Sequence, residues 1–595
     1  MVTDLNRRDF VKLTGAATLL GAGAAILPST SSAATVPTPR GDIRGRRSPN
    51  IVFIMVDELR FPMGLPNGVH SPRQFLGRYM PNVAKLWDRG VKFDNHFTAA
   101  TSCGPARAAL VTGLYPHQTW NLLTPPGDST PGASLAPALE PAFPTYGKLL
   151  RKAGYRTPYV GKWHLSGSPA SVDAPGADIY LEKYGFDGKT IPDVTGLPGQ
   201  GLQEDPVMAG QAVEWLQRQK VASAPFCLTV SLVNPHDKQF FWAGTEATRF
   251  NELYTSQSLR PFIQFYPYSG EENPRSYGYS RLPGNWESAG TLGANKPACQ
   301  LFNRQASGLL YGDASDNPAQ TDYVLSSNSG IGDYKVAVAP FSYWRKARDS
   351  YTQVMELVDR EIGKVIRSIP EPIRDDTIIV LTSDHGEYAG AHGMLSGKEG
   401  TMYDECIQVP LIVVDLREKL TGDVDRVRHG LTSSVDILPL LLSIAHGSQE
   451  WRKGRYATAY SERLNMLPML KSASGRSRSH VLMASDEMHF NSLNFNNVPR
   501  HILGLRTRNM KVASYSRWGS RGNKVRAGRE LESYDYDKKR GRLELENFRC
   551  DGARAQRLLK AMSREAAMSA KLPPPWQRAS NRAKRTYLNF IQTLN

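Results

Sequence analysis

The sequence has little cysteine, five in 595 residues. That density excludes a disulfide scaffold, and a chain of this length can bury a core large enough to need no covalent staples. Beyond the N-terminal region it has no apolar run near the roughly 20 residues that a membrane span requires. It shows no internal repeat, so repeat architectures are excluded. It is also short of acid, with 56 Asp and Glu against 73 Lys and Arg, a net charge of +17. Such an excess leaves nucleic acid, an anionic membrane surface or an acidic substrate as partners. A hydrophobic share of 40% excludes wholesale disorder. Length alone suits about four domains, or two large ones.

The charge is not evenly spread. Residues 501–595 hold 22 Lys and Arg against 8 Asp and Glu, net +14, whereas residues 35–500 carry only +2. The basic character therefore belongs to the C-terminal piece. At the other end, Arg7-Arg8-Asp9-Phe10-Val11-Lys12 precedes an apolar run from Leu13 to Leu27 and then small residues ending in Ala33-Ala34. This pattern reads as an export signal over residues 1–34, with the paired arginines of the twin-arginine type. A periplasmic or secreted protein, with the twin-arginine translocase as a partner, is the expectation. Nucleic acid is not expected as a partner, since no recognition motif is present. Residues 35–49 are rich in Pro, Gly, Arg and Ser and read as a flexible tail.

From Asn50 the pattern becomes regular. Continuous apolar runs at Asn50 to Val56, Tyr155 to Val160, Pro225 to Val233, Asp376 to Thr382 and Pro410 to Val414 predict strands buried on both faces. Helical patterns fall at 105–114, 144–153, 207–220 and Arg345 to Ile369, the last with Ala347, Tyr351, Val354, Val358, Ile362 and Val365 on one face. The alternation predicts an α/β fold, a large and mostly parallel sheet flanked by helices. The pattern changes near 455, which predicts a catalytic domain over 50–454 and a smaller, basic α+β subdomain over 455–595. Within the first, residues 238–344 hold 19 of the chain's 55 aromatics and little periodicity. This insertion reads either as a substrate-facing loop assembly or as a cover over the core.

Four of these segments end in polar groups: Asp57-Glu58, Gly161-Lys162-Trp163-His164, Asn234-Pro235-His236-Asp237 and Ser383-Asp384-His385-Gly386-Glu387. In open α/β sheets ligands bind beyond the carboxyl ends of the strands. Parallel strands would bring these acids, histidines and a lysine to one edge, where converging carboxylates call for a hard divalent cation. Cys103, in Thr101-Ser102-Cys103-Gly104-Pro105-Ala106-Arg107, lies just before a predicted helix start, a position that suits a reactive thiol. Taken alone it is a structural cysteine or a thiol nucleophile. His392, in Gly390-Ala391-His392-Gly393, is either a substrate contact or a loop residue. Cys227 and Cys406 fall in or beside apolar runs and read as buried thiols, and no disulfide is expected.

Cys103-Gly-Pro-Ala-Arg107 with Ala-Ala-Leu-Val-Thr-Gly after it resembles the signature of the formylglycine-dependent sulfatases, in the alkaline-phosphatase-like superfamily. Asn-Ile-Val-Phe-Ile-Met-Val-Asp, Gly-Lys-Trp-His, Pro-His-Asp, Ser-Asp-His-Gly with Gly397-Lys398, and Val435-Asp436-Ile437-Leu438-Pro439 follow in that family's order. Ser533-Tyr534-Asp535 through Glu546-Asn547 resembles its C-terminal element, so the likeness runs from about 48 to 550. It implies an alkaline-phosphatase-like fold and hydrolysis of an O-sulfate ester. It implies that a formylglycine-generating system converts Cys103 to 3-oxoalanine, whose hydrate attacks sulfur to form a covalent sulfo-enzyme and then expels sulfate. By the same resemblance Arg107 holds the hydrate or an anionic oxygen, Lys162 and Lys398 neutralise sulfate oxygens, His164 orients or deprotonates the diol, and His236 is the acid for the leaving oxygen. Asp57, Glu58, Cys103, Asp384 and His385 are the implied metal ligands, for Ca2+ or alternatively Mn2+. Two positions depart from the usual pattern: Glu58 stands where Asp is common, and His385 where Asn is common. These departures keep a phosphodiesterase or phosphonate monoester hydrolase open as an alternative. A catalytically inactive polyanion-binding protein, with Cys103 left as a thiol, is the alternative of another class. The substrate is expected to be a sulfated carbohydrate or aryl ester.

Overall fold

The computed structural model describes residues 48–593, apart from 125–137, 170–175, 178, 189–192, 222, 240–244, 257–274, 328–334, 487–500 and 519–523. The expected signal, residues 1–34, and the tail up to residue 47 lie outside the described residues, as do parts of the aromatic-rich insertion.

The central sheet has six strands: β1 (Asn50–Asp57), β2 (Val91–Phe93), β3 (Tyr159–Gly161), β4 (Cys227–Pro235), β5 (Thr377–Ser383) and β6 (Leu411–Asp415), in the order β2-β6-β5-β1-β4-β3. β1 lies parallel to β4 and to β5, and β3 parallel to β4. β6 runs antiparallel to β5 and to β2. An apolar run buried on both faces carries no direction, so the sense of β6 was not visible in its composition.

Strand periodicity divides the core in two. Ile51, Phe53 and Met55 of β1 pack into one layer, and Val52, Ile54 and Val56 into the other, all fully buried. Against the first layer lie Ala108, Leu110 and Val111 of helix α1 (Cys103–Thr112). Against the second lie α2 (Gln200–Gln217) and α3 (Tyr343–Arg367), the latter through the predicted stripe of Tyr351, Val354, Val358, Ile362 and Val365. The first layer also takes Ile437, Leu438 and Leu441 of α4 (Ile437–His446). α2 begins at Gln200 rather than at 207, with Pro206 inside it. Its early turns are useful: Asp205 accepts hydrogen bonds from Val233 N (2.6 Å) and Asn234 N (2.8 Å), which fixes the end of β4.

Tyr460, Met466, Met469 and Leu470 pack into the first layer, so the main body extends past the composition change at 455. An antiparallel meander follows: β7 (His480–Ser485), β8 (His501–Thr507), β9 (Met510–Trp518) and β10 (Lys524–Asp535). Helix α5 (Ala553–Ser569) covers it through Leu559 and Met562, and α6 (Pro574–Thr593) adds Tyr587 to the same cluster. Ala484 N of β7 donates to Ala99 O (2.9 Å), so the C-terminal sheet braces the segment that leads to Cys103.

The two-layer core makes a quantitative prediction. Ile54→Ala removes a fully buried side chain from the central strand, and denaturant unfolding should show a loss of about 2–5 kcal/mol. A change below 0.5 kcal/mol would contradict the packing described.

Candidate active site

The sheet delivers four chain segments to one edge. β1 ends at Asp57, β5 at Ser383, just before Asp384, β3 at Gly161, just before Lys162, and β4 at Pro235, just before His236. The β1–β4 register jumps between Val56 and Asp57, so Asp57 lies opposite Pro235. Helix α1 begins at Cys103 and aims its N-terminus at the same point.

At the centre, Cys103 Sγ lies 3.1 Å from His385 Nε2 and 3.6 Å from Asp57 Oδ1, with Lys162 Nζ at 3.8 Å. Lys162 is ion-paired to Asp57 Oδ2. Arg107 Nη2 is 3.4 Å from the same oxygen and Arg107 Nε is 2.8 Å from Asp384 Oδ2. Its other nitrogen, Nη1, donates to Lys162 O (2.8 Å) and Ser231 Oγ (2.9 Å). Arg107 therefore ties both carboxylates to β4 and to the backbone of Lys162, just after β3. Every one of these side chains is buried. Burial raises the Asp57 carboxyl, but Lys162 and Arg107 overcome that and hold it well below the usual carboxylate range.

Asp57, Cys103, Asp384 and His385 place one ligand atom each within 4.8 Å of one another. Asp384 Oδ2 accepts no aligned hydrogen bond although it is fully buried, an acceptor that a cation would satisfy. The donor set fits a divalent ion. Glu58, expected among the ligands, lies outside this group. Its backbone is in the left-handed region (φ 68°), and its carboxylate accepts from Lys398 Nζ (2.9 Å) and twice from Gln239 Nε2 (2.7 Å each). His236 Nε2 is 3.6 Å from Glu58 Oε2. Burial, together with Lys398 and Lys162, pushes the His236 imidazole well below its ordinary value.

The loops that carry these groups are themselves held. Asp193 accepts from Trp163 N (2.9 Å) and His164 N (2.6 Å), fixing the Lys162–His164 turn. Glu387 accepts from Gly397 N (2.8 Å) next to Lys398. The insertion contributes Asn303 and Ser307, which donate to Glu399 O (2.8 Å) and Ser396 O (3.1 Å) on either side of Lys398. Its described aromatics Tyr277 and Tyr279 join the second core layer, and Tyr254, Tyr343 and Trp344 form a small core with Leu395. These aromatics cover the body and support the Lys398 loop. His392 is fully buried. It stacks on Tyr403 at 3.7 Å and bonds to Glu287 (2.8 Å), a structural position rather than a substrate contact. The His392, Glu405 and Glu544 carboxylate–imidazole cluster around it is crossed by Lys511 and Tyr536, which occupy Glu544. All five cysteines are free and buried.

Gly196 and Asp193 were not singled out from the sequence. A short Gly-rich loop offers no periodic signal, and only its contacts reveal it. Gly196 has φ 95°, and a Cβ there would meet His236 Cε1 at 2.7 Å and Lys162 Nζ at 2.9 Å. Gly196→Ala should therefore lower kcat/KM on a sulfate ester at least 100-fold while leaving Tm within about 3 °C, since the clash falls on the site and not on the core. Unchanged turnover would show that Lys162 and His236 do not act from these positions.

The chain's resemblances agree with this arrangement. The family model Sulfatase matches residues 49–448. An N-acetylglucosamine-6-O-sulfatase of Bacteroides thetaiotaomicron is 26% identical over 423 residues, which covers 67% of this chain and 68% of that one. Among solved structures, a 2-O GAG sulfatase superposes with a TM-score of 0.56 at 18% identity, covering 89% of this chain and 96% of that one. The phosphonate monoester hydrolase of Agrobacterium radiobacter reaches 0.57 at 19% identity, covering 88% and 95%. At such identities the structural matches establish the shared fold. With the family match spanning two thirds of its length and the buried site at the sheet edge, the chain belongs to the sulfatase family and is a sulfuric ester hydrolase.

Proposed function

We propose that this sulfatase uses a formylglycine made from Cys103 and a divalent cation, and that its substrate is a sulfated carbohydrate. The observation that carries this reading is the position of Cys103, at the first residue of α1 and within 3.1–3.6 Å of His385 and Asp57. The sulfhydryl stands where the hydroxyls of a hydrated formylglycine would stand. That hydrate supplies two hydroxyls on one carbon, one to attack sulfur and one to eject sulfate. Asp57, Asp384, His385 and residue 103 would hold the cation. When bound, it supplies positive charge beside residue 103 and beside the sulfate group, where negative oxygen develops.

The chain's own groups divide the remaining work. Asp57 and Asp384 pair with Arg107 and Lys162, and Lys398 lies between Glu58 and Glu399. A bound cation adds positive charge to this set, the sign that attracts a sulfate ester. Lys162 and Lys398 flank the pocket with Nζ groups already desolvated, so their attraction for sulfate oxygens is little screened. His236 is held neutral by burial and by those lysines. An anion arriving between them offsets that repulsion and restores its capacity to carry a proton to the leaving oxygen. His164, at φ 52°, is anchored through its backbone to Asp193 in the Lys162 loop and is proposed to orient or deprotonate the diol.

Calcium was the first expectation for the metal. Calcium takes six to eight oxygens, whereas this set offers an imidazole and has lost Glu58 to Lys398. Imidazole suits a first-row transition ion better than calcium, which supports the alternative, manganese. Chelation should abolish activity, and Mn2+ should restore more of it than Ca2+, with about one equivalent bound by metal analysis. Export by the twin-arginine route, and so a periplasmic or secreted location, forms part of the proposal on the strength of residues 1–34.

The carbohydrate assignment rests on the similarity to an N-acetylglucosamine-6-O-sulfatase. A second reading, phosphonate or phosphodiester hydrolysis, is favoured by one observation, the imidazole of His385 in the ligand group of a fold shared with a phosphonate monoester hydrolase. One experiment decides between them. Mass spectrometry of the Cys103 peptide should show loss of sulfur and gain of oxygen. The same preparation should hydrolyse an aryl sulfate with kcat/KM at least tenfold above that for an aryl phosphodiester or phosphonate, and Cys103→Ala should lose at least 1,000-fold. An unmodified thiol in active protein, or a preference for the phosphorus ester, would overturn the proposal.

A further inference from the structure

The C-terminal charge excess has a definite shape. Residues 553–593 contain nine Lys and Arg and a single acid, Glu565. In α5, Ala555, Leu559, Met562 and Ala566 are buried at helical spacing. Arg557, Lys560 and Arg564, at i, i+3 and i+7, lie on the opposite face and are exposed. In α6, Ala579, Ala583 and Tyr587 are buried, while Arg578, Arg582 and Arg585, at i, i+4 and i+7, are exposed on the other side. Each helix thus carries a basic stripe opposite its core face. Arg582 reaches Glu140 at 3.0 Å. The other five have no ion-pair partner among the described residues.

This is not the usual charged surface of a helix. Lys560 with Arg564, and Arg578 with Arg582, put like charges at i, i+4, an arrangement that repels. Elsewhere the chain pairs opposite signs at such spacings, as Glu361 with Lys364 in α3 (2.7 Å) and Glu450 with Lys453 (2.7 Å). The repulsion along α5 and α6 is relieved when an external anion lies on them. The stripes are also fixed relative to the site. α6 packs on the turn Pro116–Thr119 that follows α1, with Tyr587 against Trp120 at 5.8 Å. The sheet beneath α5 is hydrogen-bonded to Ala99, four residues before Cys103.

We propose that the stripes of α5 and α6 are an exosite for a sulfated polysaccharide, which holds the polymer on the enzyme while its sulfate esters enter the catalytic pocket. The proposal rests on the sulfatase reading above and narrows its substrate to a polymer. Five of the six side chains are arginines, whose planar forks pair two N–H groups with two oxygens of one oxyanion. A membrane surface fits less well, because the exposed faces lack the Trp, Phe and Leu that anchor interfacial helices. Nucleic acid fits less well, because no aromatic ring lies along the stripes for bases to stack on. Tethering raises the local concentration of ester groups without any change in the pocket.

The test compares the full chain with Arg557→Gln/Lys560→Gln/Arg564→Gln, with Arg578→Gln/Arg582→Gln/Arg585→Gln, and with all six together. Binding is measured to heparin, to unsulfated dextran and to vesicles of phosphatidylglycerol, over a range of salt. The full chain should bind heparin and not dextran. Each triple variant should bind heparin at least threefold more weakly and the sixfold variant at least 30-fold, with a shallower salt dependence, by about 4 in the log–log slope if each charge counts as it does on nucleic acid. Turnover of a small aryl sulfate should stay within twofold in all variants, which shows that they are folded. Undiminished heparin binding by the sixfold variant would overturn the exosite, as would binding of vesicles without heparin. Aryl sulfate turnover reports on the sulfatase reading and heparin binding on the exosite, so either can fail alone.

Discussion

Everything at the sheet edge depends on compensating two carboxylates that have no contact with water. Asp57 and Asp384 are fully buried, and Arg107 reaches both. Burying an unpaired charge is far more costly than any single contact can offset. The fold meets this by bringing Arg107 from α1, Lys162 from the loop after β3 and His385 from the loop after β5 to the same point. The arrangement is still incomplete in one respect: an oxygen of Asp384 has no aligned donor. The same electrostatic demand that fixes the side chains therefore prepares a place for a cation.

That demand explains why parts far from the chemistry are arranged as they are. The central sheet fixes strand ends, but strand ends alone do not fix loops. Asp193 holds the Lys162 turn, Asp205 holds the end of β4, and Glu387 holds the backbone next to Lys398. The aromatic-rich insertion is bound into the core and lends Asn303 and Ser307 to the Lys398 loop. The C-terminal sheet supports the entry to Cys103 through β7. Insertion and C-terminal sheet meet in one core cluster, where Leu292 and Cys299 pack with Met483, Ile502 and Tyr515, and the two basic helices pack on the sheet through a separate cluster.

Much of this was legible beforehand, for physical reasons that differ from element to element. The five main strands and the α3 stripe were visible because burial on both faces, or on one face at 3.6-residue spacing, leaves a direct mark on residue type. The direction of β6 left no such mark. The start of α2 was hidden by Pro206, which in isolation reads as a helix beginning. Asp57, Cys103, Lys162, His236 and Asp384 stand at strand ends or open a helix, whereas Arg107 and Lys398 are named only by the family resemblance; the structure brings all seven to one edge. Gly196 and Asp193 could not be named, since their importance lies entirely in what they touch. Glu58 is an implied ligand only by the family resemblance, and at positive φ its carboxylate meets Lys398 and Gln239 instead.

The sequence by itself determined the α/β class, the order of the chemical segments and the concentration of charge in residues 501–595, because each is a property of local pattern or of composition. Only the tertiary structure decided which carboxylates share a centre, that His392 is a packed core residue, and that the surplus arginines form two stripes opposite buried helix faces. Those facts depend on distances between residues hundreds of positions apart and on which side of a helix meets the core, and no local pattern encodes either.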